Sequence, residues 1–118
     1  MRFFIPIIFI FSFVGQSHAK NLNADSLKNV IHGNFHDTAK AKAYNELGIV
    51  LKRKGLIDSS MVVYDQGINL AHKINAQKTL AILYTNQGFA FYDKREIDTC
   101  EALIKKSIDI YKRLKINK

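Results

Sequence analysis

The chain has 118 residues, 47% of them hydrophobic, and a formal net charge of +8 from 18 Lys and Arg against 10 Asp and Glu. This length leaves room for one domain and excludes a separate catalytic one. The single cysteine, Cys100, excludes an internal disulfide framework. The positive charges are spread along the chain without a block of like charge, which favours a solvated helical surface over a dedicated patch for nucleic acid.

Residues 1–19 have the three parts of a secretory signal peptide. Arg2 precedes an almost wholly apolar run over residues 3–14, and the small-x-small tripeptide Ser17-His18-Ala19 follows. We expect cleavage after Ala19 and export to the periplasm or the medium. The apolar run is shorter than the about 20 residues of a membrane span. The alternative is an uncleaved anchor, which would be the chain's only contact with a membrane.

A short helix is predicted over residues 24–32, because Ala24, Leu27 and Ile31 recur at helical spacing. Gly33 and Asn34 follow it as helix breakers. Residues 20–37 are therefore predicted to form an N-terminal linker and a helix that caps the structure after them.

The rest of the chain is an internal repeat, in which residues 44–74 return as residues 84–114. Both residues are apolar in twelve of the 31 aligned pairs, and six pairs are identical: Tyr44/Tyr84, Gly48/Gly88, Lys54/Lys94, Ile57/Ile97, Asp58/Asp98 and Ile68/Ile108. A fixed period of this size is typical of stacked repeats, none of which can bury its apolar face alone.

The first repeat, residues 38–75, is predicted to be a pair of helices. Asp37 and Thr38 would cap the first helix, which runs to about Arg53. Gly55 suits the left-handed position after it, and Asp58 would cap a second helix that ends before Asn75. Gly48 is predicted to lie where the two helices cross. The inner face of the second helix would comprise Ser60, Val63, Tyr64, Gly67, Ile68 and Ala71.

The second repeat, residues 76–118, is predicted to contain a helix over 77–93 and a fourth helix from the capping box at Asp98 to about residue 115. Ala102, Ile110 and Leu114 are expected on or near the exposed side of the fourth helix. Exposed apolar residues there predict either more repeats or a homo-oligomer that pairs through this helix. The predicted inward residues are Cys100, Leu103, Ile104, Ser107, Ile108 and Tyr111.

The repeat pattern, aromatic-x-x-[Leu/Gln]-Gly-x-x-[Leu/Phe] followed by Ile-Asp, resembles the tetratricopeptide repeat family over residues 38–114, with a half unit at 24–34. The resemblance implies an all-α fold of antiparallel helix pairs stacked as a right-handed α-solenoid. Such units, of about 40 residues where the common form has about 34 residues, are similar to those in the exported regions of bacterial sensor histidine kinases. The second unit departs from the first at Gln87, Arg95 and Ser107, which align with Leu47, Gly55 and Gly67.

The resemblance also implies a function, since the first helices of such units line a concave groove that holds a peptide. The chain would then be an exported protein–protein interaction module in a signalling or assembly context. The alternative is the N-terminal sensory fragment of a longer membrane histidine kinase or regulator. The predicted groove residues are Lys42, Asn45, Ile49, Lys52, Arg53, Thr85, Asn86, Phe89 and Tyr92.

Nothing in the sequence favours an enzyme. The spacing of Ser, Cys, His, Asp and Asn residues does not suggest a catalytic triad, and the sequence has no phosphate-binding glycine loop. His32 and His36 are four apart, but Gly33 breaks the helix that would align them as metal ligands. We therefore predict no cofactor, no metal and, for an exported protein, no nucleic-acid partner. A small enzyme or ligand carrier is the remaining alternative.

Overall fold

The computed structural model describes residues 23–116, so the predicted signal peptide at residues 1–19 lies outside the described residues. Of the described residues 85% are helical, and no strand is found among them. The predicted all-α class and the five predicted helices are confirmed. The helices are α1 (Ala24–His32), α2 (Asp37–Arg53), α3 (Ile57–Lys73), α4 (Gln77–Asp93) and α5 (Ile97–Ile116).

Three helices, namely α2, α3 and α5, begin one or two residues earlier than predicted. The three aspartates that were expected to cap them therefore lie inside the first turns. Asp37, Asp58 and Asp98 each fall in the first turn of a helix instead of preceding it. A carboxylate is still favourable at each of these positions, because the amino end of a helix carries a partial positive charge. Side-chain capping occurs instead at α1, where the backbone N–H of Ser26 donates to Asn23 Oδ1 at 2.8 Å.

Three turns of the same geometry connect helices α2 to α5. In each turn, one residue adopts a left-handed conformation, namely Gly55 (φ 83°), Asn75 (φ 56°) and Arg95 (φ 67°). The backbone N–H of the next residue then bonds to a carbonyl five residues earlier, at 2.9 Å in all three turns. This is the Schellman arrangement. Because the turns are so short, consecutive helices run in opposite directions.

Packing follows the order of the chain, with one addition. Each helix contacts the next, and α2 also contacts α4. A small apolar cluster joins α1 to α2, with Leu27 and Ile31 against Ala43 and Leu47. A larger cluster joins α3, α4 and α5, and Ala41 of α2 also belongs to it. Its buried members include Tyr64, Ile68, Ala71, Leu80, Leu83, Tyr84, Leu103 and Ile110.

Gly48 lies at the close crossing of α2 and α3, as predicted. A Cβ atom built on Gly48 would overlap the ring of Tyr64, lying 2.6 Å from Cδ1 and 2.7 Å from Cζ. Tyr64 is only 1% exposed, so its ring fills the space that the glycine leaves. At the equivalent Gly88 the nearest atom is the Ile104 Cδ1 methyl, at 3.2 Å. The second crossing is therefore looser than the first.

The inward face of α5 differs from the prediction at four positions, one of which is Leu114, expected on the exposed side but partly buried against the larger cluster. The sequence places Ile108 and Tyr111 inside, but they are 46% and 42% exposed, and it places Ile110 outside, but Ile110 is 3% exposed. Within the described chain α5 packs only against α4. The covered face is therefore a single stripe at spacings of three and four residues. Its members are Cys100, Leu103, Ser107, Ile110 and the partly buried Leu114.

A cross-helix hydrogen bond, which the sequence pattern did not predict, ties the end of α3 to α4. His72 Nε2 lies 2.9 Å from the Tyr84 hydroxyl, and Lys106 of α5 lies 5.4 Å above the ring of Tyr84. Over residues 23–116, none of the helices combines the length and apolar character needed to cross a membrane.

Candidate functional site

The candidate site is the face on which α2 and α4 meet. Its centre is a pair of asparagines, in which Asn86 Nδ2 donates to Asn45 Oδ1 at 2.8 Å. The sequence predicts that both side chains are offered to a peptide, but in the structure they bond to each other. Asn45 is only 8% exposed, since it lies between the two helices. Within this pair, the side-chain atoms Asn45 Nδ2 and Asn86 Oδ1 have no hydrogen-bond partner among the described residues.

An aromatic ring, a lysine and an aspartate continue this face toward the carboxyl ends of both helices. The Phe89 ring is 49% exposed, and Lys52 Nζ lies 5.9 Å from its centroid. The same ammonium group is 3.2 Å from Asp93 Oδ2. Lys52 therefore bridges α2 to α4, and its charge is largely balanced by Asp93. Surface ion pairs contribute at most about 1 kcal/mol to stability. The main effect of the Lys52–Asp93 ion pair is therefore to hold the lysine beside the Phe89 ring.

The remaining predicted residues of α2 lie on the rim of this face. Ile49 is partly exposed, one helical turn from both Asn45 and Lys52. Lys42 and Arg53 are exposed, and neither forms an ion pair with the described residues. The rim of α2 is therefore basic at both ends and apolar between them.

Two predicted residues of α4 lie elsewhere. The Thr85 hydroxyl lies 3.1 Å from the carbonyl oxygen of Ala81 and 2.8 Å from Ser107 Oγ, so Thr85 belongs to the contact with α5. Tyr92 is exposed beside the turn after α4, where it lines a shallow depression with Arg95 and Ile97. The periodicity of α4 could not separate these directions, since α4 is in contact with α2, α3 and α5.

Comparisons with models of protein families, with curated proteins and with solved structures find no match for this chain.

The groups most capable of chemistry are buried or scattered. Cys100 is buried at the start of α5. Burial raises the pKa of Tyr84, and burial together with the charge of Glu46 raises the pKa of Tyr64 to about 12. Neither phenol would therefore act as a base at neutral pH. Within residues 23–116, no three His, Cys, Asp or Glu side chains come close enough together to hold a metal ion.

The arrangement on α2 and α4 suits recognition by contact. The asparagine pair keeps a free donor group and a free acceptor group, which together complement a single peptide unit. Phe89 and Ile49 place apolar surface next to that pair. A flexible ligand with alternating polar backbone and apolar side chains would satisfy both features at once.

Proposed function

We propose that this chain is an exported helical-repeat module of the tetratricopeptide type, which binds an extended protein segment across α2 and α4. The return of residues 44–74 as residues 84–114 supports the family. The three Schellman turns and the direct contact between α2 and α4 support the stacking. Helix pairs related by one repeated turn geometry would rise as a right-handed solenoid, with the first helix of each pair on the concave side.

The observation that carries the peptide proposal is the Asn45–Asn86 pair beside the exposed Phe89 ring. A partly buried amide without a partner is costly, typically about 1–3 kcal/mol, and a peptide N–H and C=O would satisfy the two free groups. An apolar side chain of the same segment would cover Phe89 and Ile49. Burying one such side chain stabilises a complex by about 1.5–3 kcal/mol before losses of entropy.

The charge of the rim selects the chemistry of the segment. Lys42 and Arg53 flank the apolar centre, and the chain as a whole carries +8. An acidic residue on either side of the apolar anchor would therefore increase the rate of association. The expected ligand is an acidic, extended segment with one large apolar side chain, presented by an exported or cell-surface partner.

The proposal can be tested by selecting ligands from a random peptide display library on the immobilised chain. Selected peptides should share an apolar anchor with acidic neighbours. Their affinity should fall about tenfold for Phe89→Ala, the loss expected when one buried apolar contact is removed. Asn86→Ala should weaken the same peptides, because it removes one of the two free polar groups and frees the other asparagine.

Phe35→Ala is the matched control. Phe35 is 53% exposed, nearly the same as Phe89, but lies in the connection before α2. Its substitution should leave peptide affinity unchanged. Helicity must stay at the wild-type value in all three variants, as measured by far-UV circular dichroism. Selected peptides that bind the Phe89→Ala and Asn86→Ala variants with wild-type affinity would place the binding site elsewhere.

A further inference from the structure

Helix α5 carries an apolar stripe that the described chain leaves partly exposed. Ile97, Ile108 and Tyr111 are 45%, 46% and 42% exposed. Ile104 lies between them and is partly exposed. The four residues recur at spacings of seven, four and three along α5, which places them on one side of the helix.

The same positions are covered in the first repeat, where they are Ile57, Tyr64, Ile68 and Ala71. Tyr64, Ile68 and Ala71 are buried there, within the cluster that includes α4. The stripe on α5 is thus the surface that a neighbouring helix occupies one repeat earlier. A helix is the shape of ligand that fits it.

The charges beside the stripe indicate which helix would bind there. Six charged side chains, five along its outer flank and Lys115 at its carboxyl end, are exposed, and none pairs within 4 Å with another described residue. Their order along α5 is acidic, acidic, basic, then acidic, basic, basic. The residues are Asp98, Glu101, Lys105, Asp109, Lys112 and Lys115.

This order is self-complementary when two copies of α5 run antiparallel. A two-fold axis midway between Ile104 and Ile108 brings Ile104 of one copy opposite Ile108 of the other. It also brings the same flank of both helices together. Opposite partners then lie at equal heights to within one or two residues, about 1.5–3 Å along the axis. The reciprocal pairs are Asp98 with Lys115, Glu101 with Lys112 and Lys105 with Asp109.

We propose that the occupant of this stripe is the α5 helix of a second copy of the chain, in a two-fold antiparallel dimer. The apolar stripe provides the attraction, and the three reciprocal charge pairs select the antiparallel orientation and the register. A parallel arrangement would instead bring residues of the same height together. The acidic amino ends would then repel each other, as would the basic carboxyl ends.

Charge reversal at one pair tests the orientation as well as the surface. The chain purified from expressing cells is studied by sedimentation velocity over a concentration series. Glu101→Lys and Lys112→Glu each replace two attractive contacts per dimer by two repulsive ones. Each substitution should therefore raise the dissociation constant about tenfold. The double variant Glu101→Lys/Lys112→Glu restores opposite charges and should return to the wild-type value.

Mixing the two single variants is the sharper measurement. The lysine introduced at position 101 of one variant then faces the glutamate introduced at position 112 of the other, and the native pair completes the second contact. The mixture should form heterodimers with wild-type affinity, although each variant alone dimerises poorly. Lys78→Glu, an exposed reversal on α4, is the control and should dimerise as the wild type does.

Two results would overturn the proposal. A wild-type chain that stays monomeric over the whole series would assign the stripe to a helix of another protein. A dimer that is insensitive to both reversals would mean that the copies associate through another surface. Ile108→Asp separates these results further, because it should abolish a dimer formed by this stripe without lowering helicity.

Discussion

The two repeat glycines should respond in opposite directions to the same substitution. Gly48 and Gly88 occupy equivalent helix positions in the two repeats. Alanine in either helix interior gains about 1 kcal/mol of helix propensity over glycine. The difference lies in what the added methyl group meets. At Gly48 it meets the Tyr64 ring, whereas at Gly88 it lies 3.2 Å from the Ile104 Cδ1 methyl.

The magnitude follows from how far each neighbour must move. The Tyr64 ring is 1% exposed and would have to shift by roughly 1 Å to reach ordinary contact with the new methyl group. Overpacking of this kind typically costs about 1–3 kcal/mol. After the gain in propensity, Gly48→Ala should lower the free energy of unfolding by up to about 2 kcal/mol. Ile104 is only partly buried and can rotate, so Gly88→Ala should raise it by up to about 1 kcal/mol.

Urea unfolding followed by far-UV circular dichroism measures both changes. The protein concentration must be held constant, because self-association through α5 would add to the apparent stability. Tyr64→Ile supplies the control, since isoleucine stands at the equivalent position 104. In the double variant Gly48→Ala/Tyr64→Ile the methyl group has room. The double-mutant cycle should therefore show a favourable coupling between the two substitutions.

A Gly48→Ala variant at least as stable as the wild type would contradict a tight crossing at Gly48. Equal losses of stability at Gly48 and Gly88 would contradict it as well, since the two crossings would then be equally tight. A cycle without coupling would show that the cost does not arise at the Tyr64 ring.

Three further predictions concern other parts of the chain. Arg95 holds a left-handed conformation (φ 67°) where the first repeat has glycine, so Arg95→Gly should raise the free energy of unfolding by about 0.5–1 kcal/mol in urea melts. The pKa of Tyr64 is raised from 10.0 to about 12, chiefly by burial. Because Tyr64 ionises more easily in the unfolded chain, its contribution to stability is unaffected below pH 10 and declines as the pH rises toward 12. Tyr64→Phe should flatten this decline, as measured by the midpoints of urea unfolding. Export predicts an intact mass that begins at Lys20, and a full-length mass in the exported fraction would instead favour an anchor.

The helices were predictable because their signals are local and repeated. Each apolar stripe of the first repeat recurs in the second, and Gly55 and Asn75 are residue types that tolerate the left-handed conformation. The close crossing at Gly48 was predictable for a similar reason, since an interior glycine is costly unless a neighbour lies against it. Arg95 shows that the repeated turn overrides residue preference, because the chain adopts the same geometry without glycine.

The predictions that were wrong concern residues whose direction depends on the neighbouring helices. Periodicity alone gives α5 two apolar sides, and the contact with α4 decides that Ile110 is buried while Ile108 and Tyr111 are not. The direction of Thr85 toward Ser107 depends in the same way on how α4 sits between its neighbours. The pairing of Asn45 with Asn86 was not predictable either, since the two residues occupy different positions in the repeat.

The most direct test of the proposed function is to map a selected peptide onto the chain by backbone amide NMR shifts. Binding across α2 and α4 should move the signals of Asn45, Ile49, Asn86 and Phe89 most, together with the side-chain amides of the two asparagines. Signals from the outer face of α3, including Val62, should stay in place. If the largest shifts fall instead on α3 or on the α5 stripe, the groove between α2 and α4 is not the binding site.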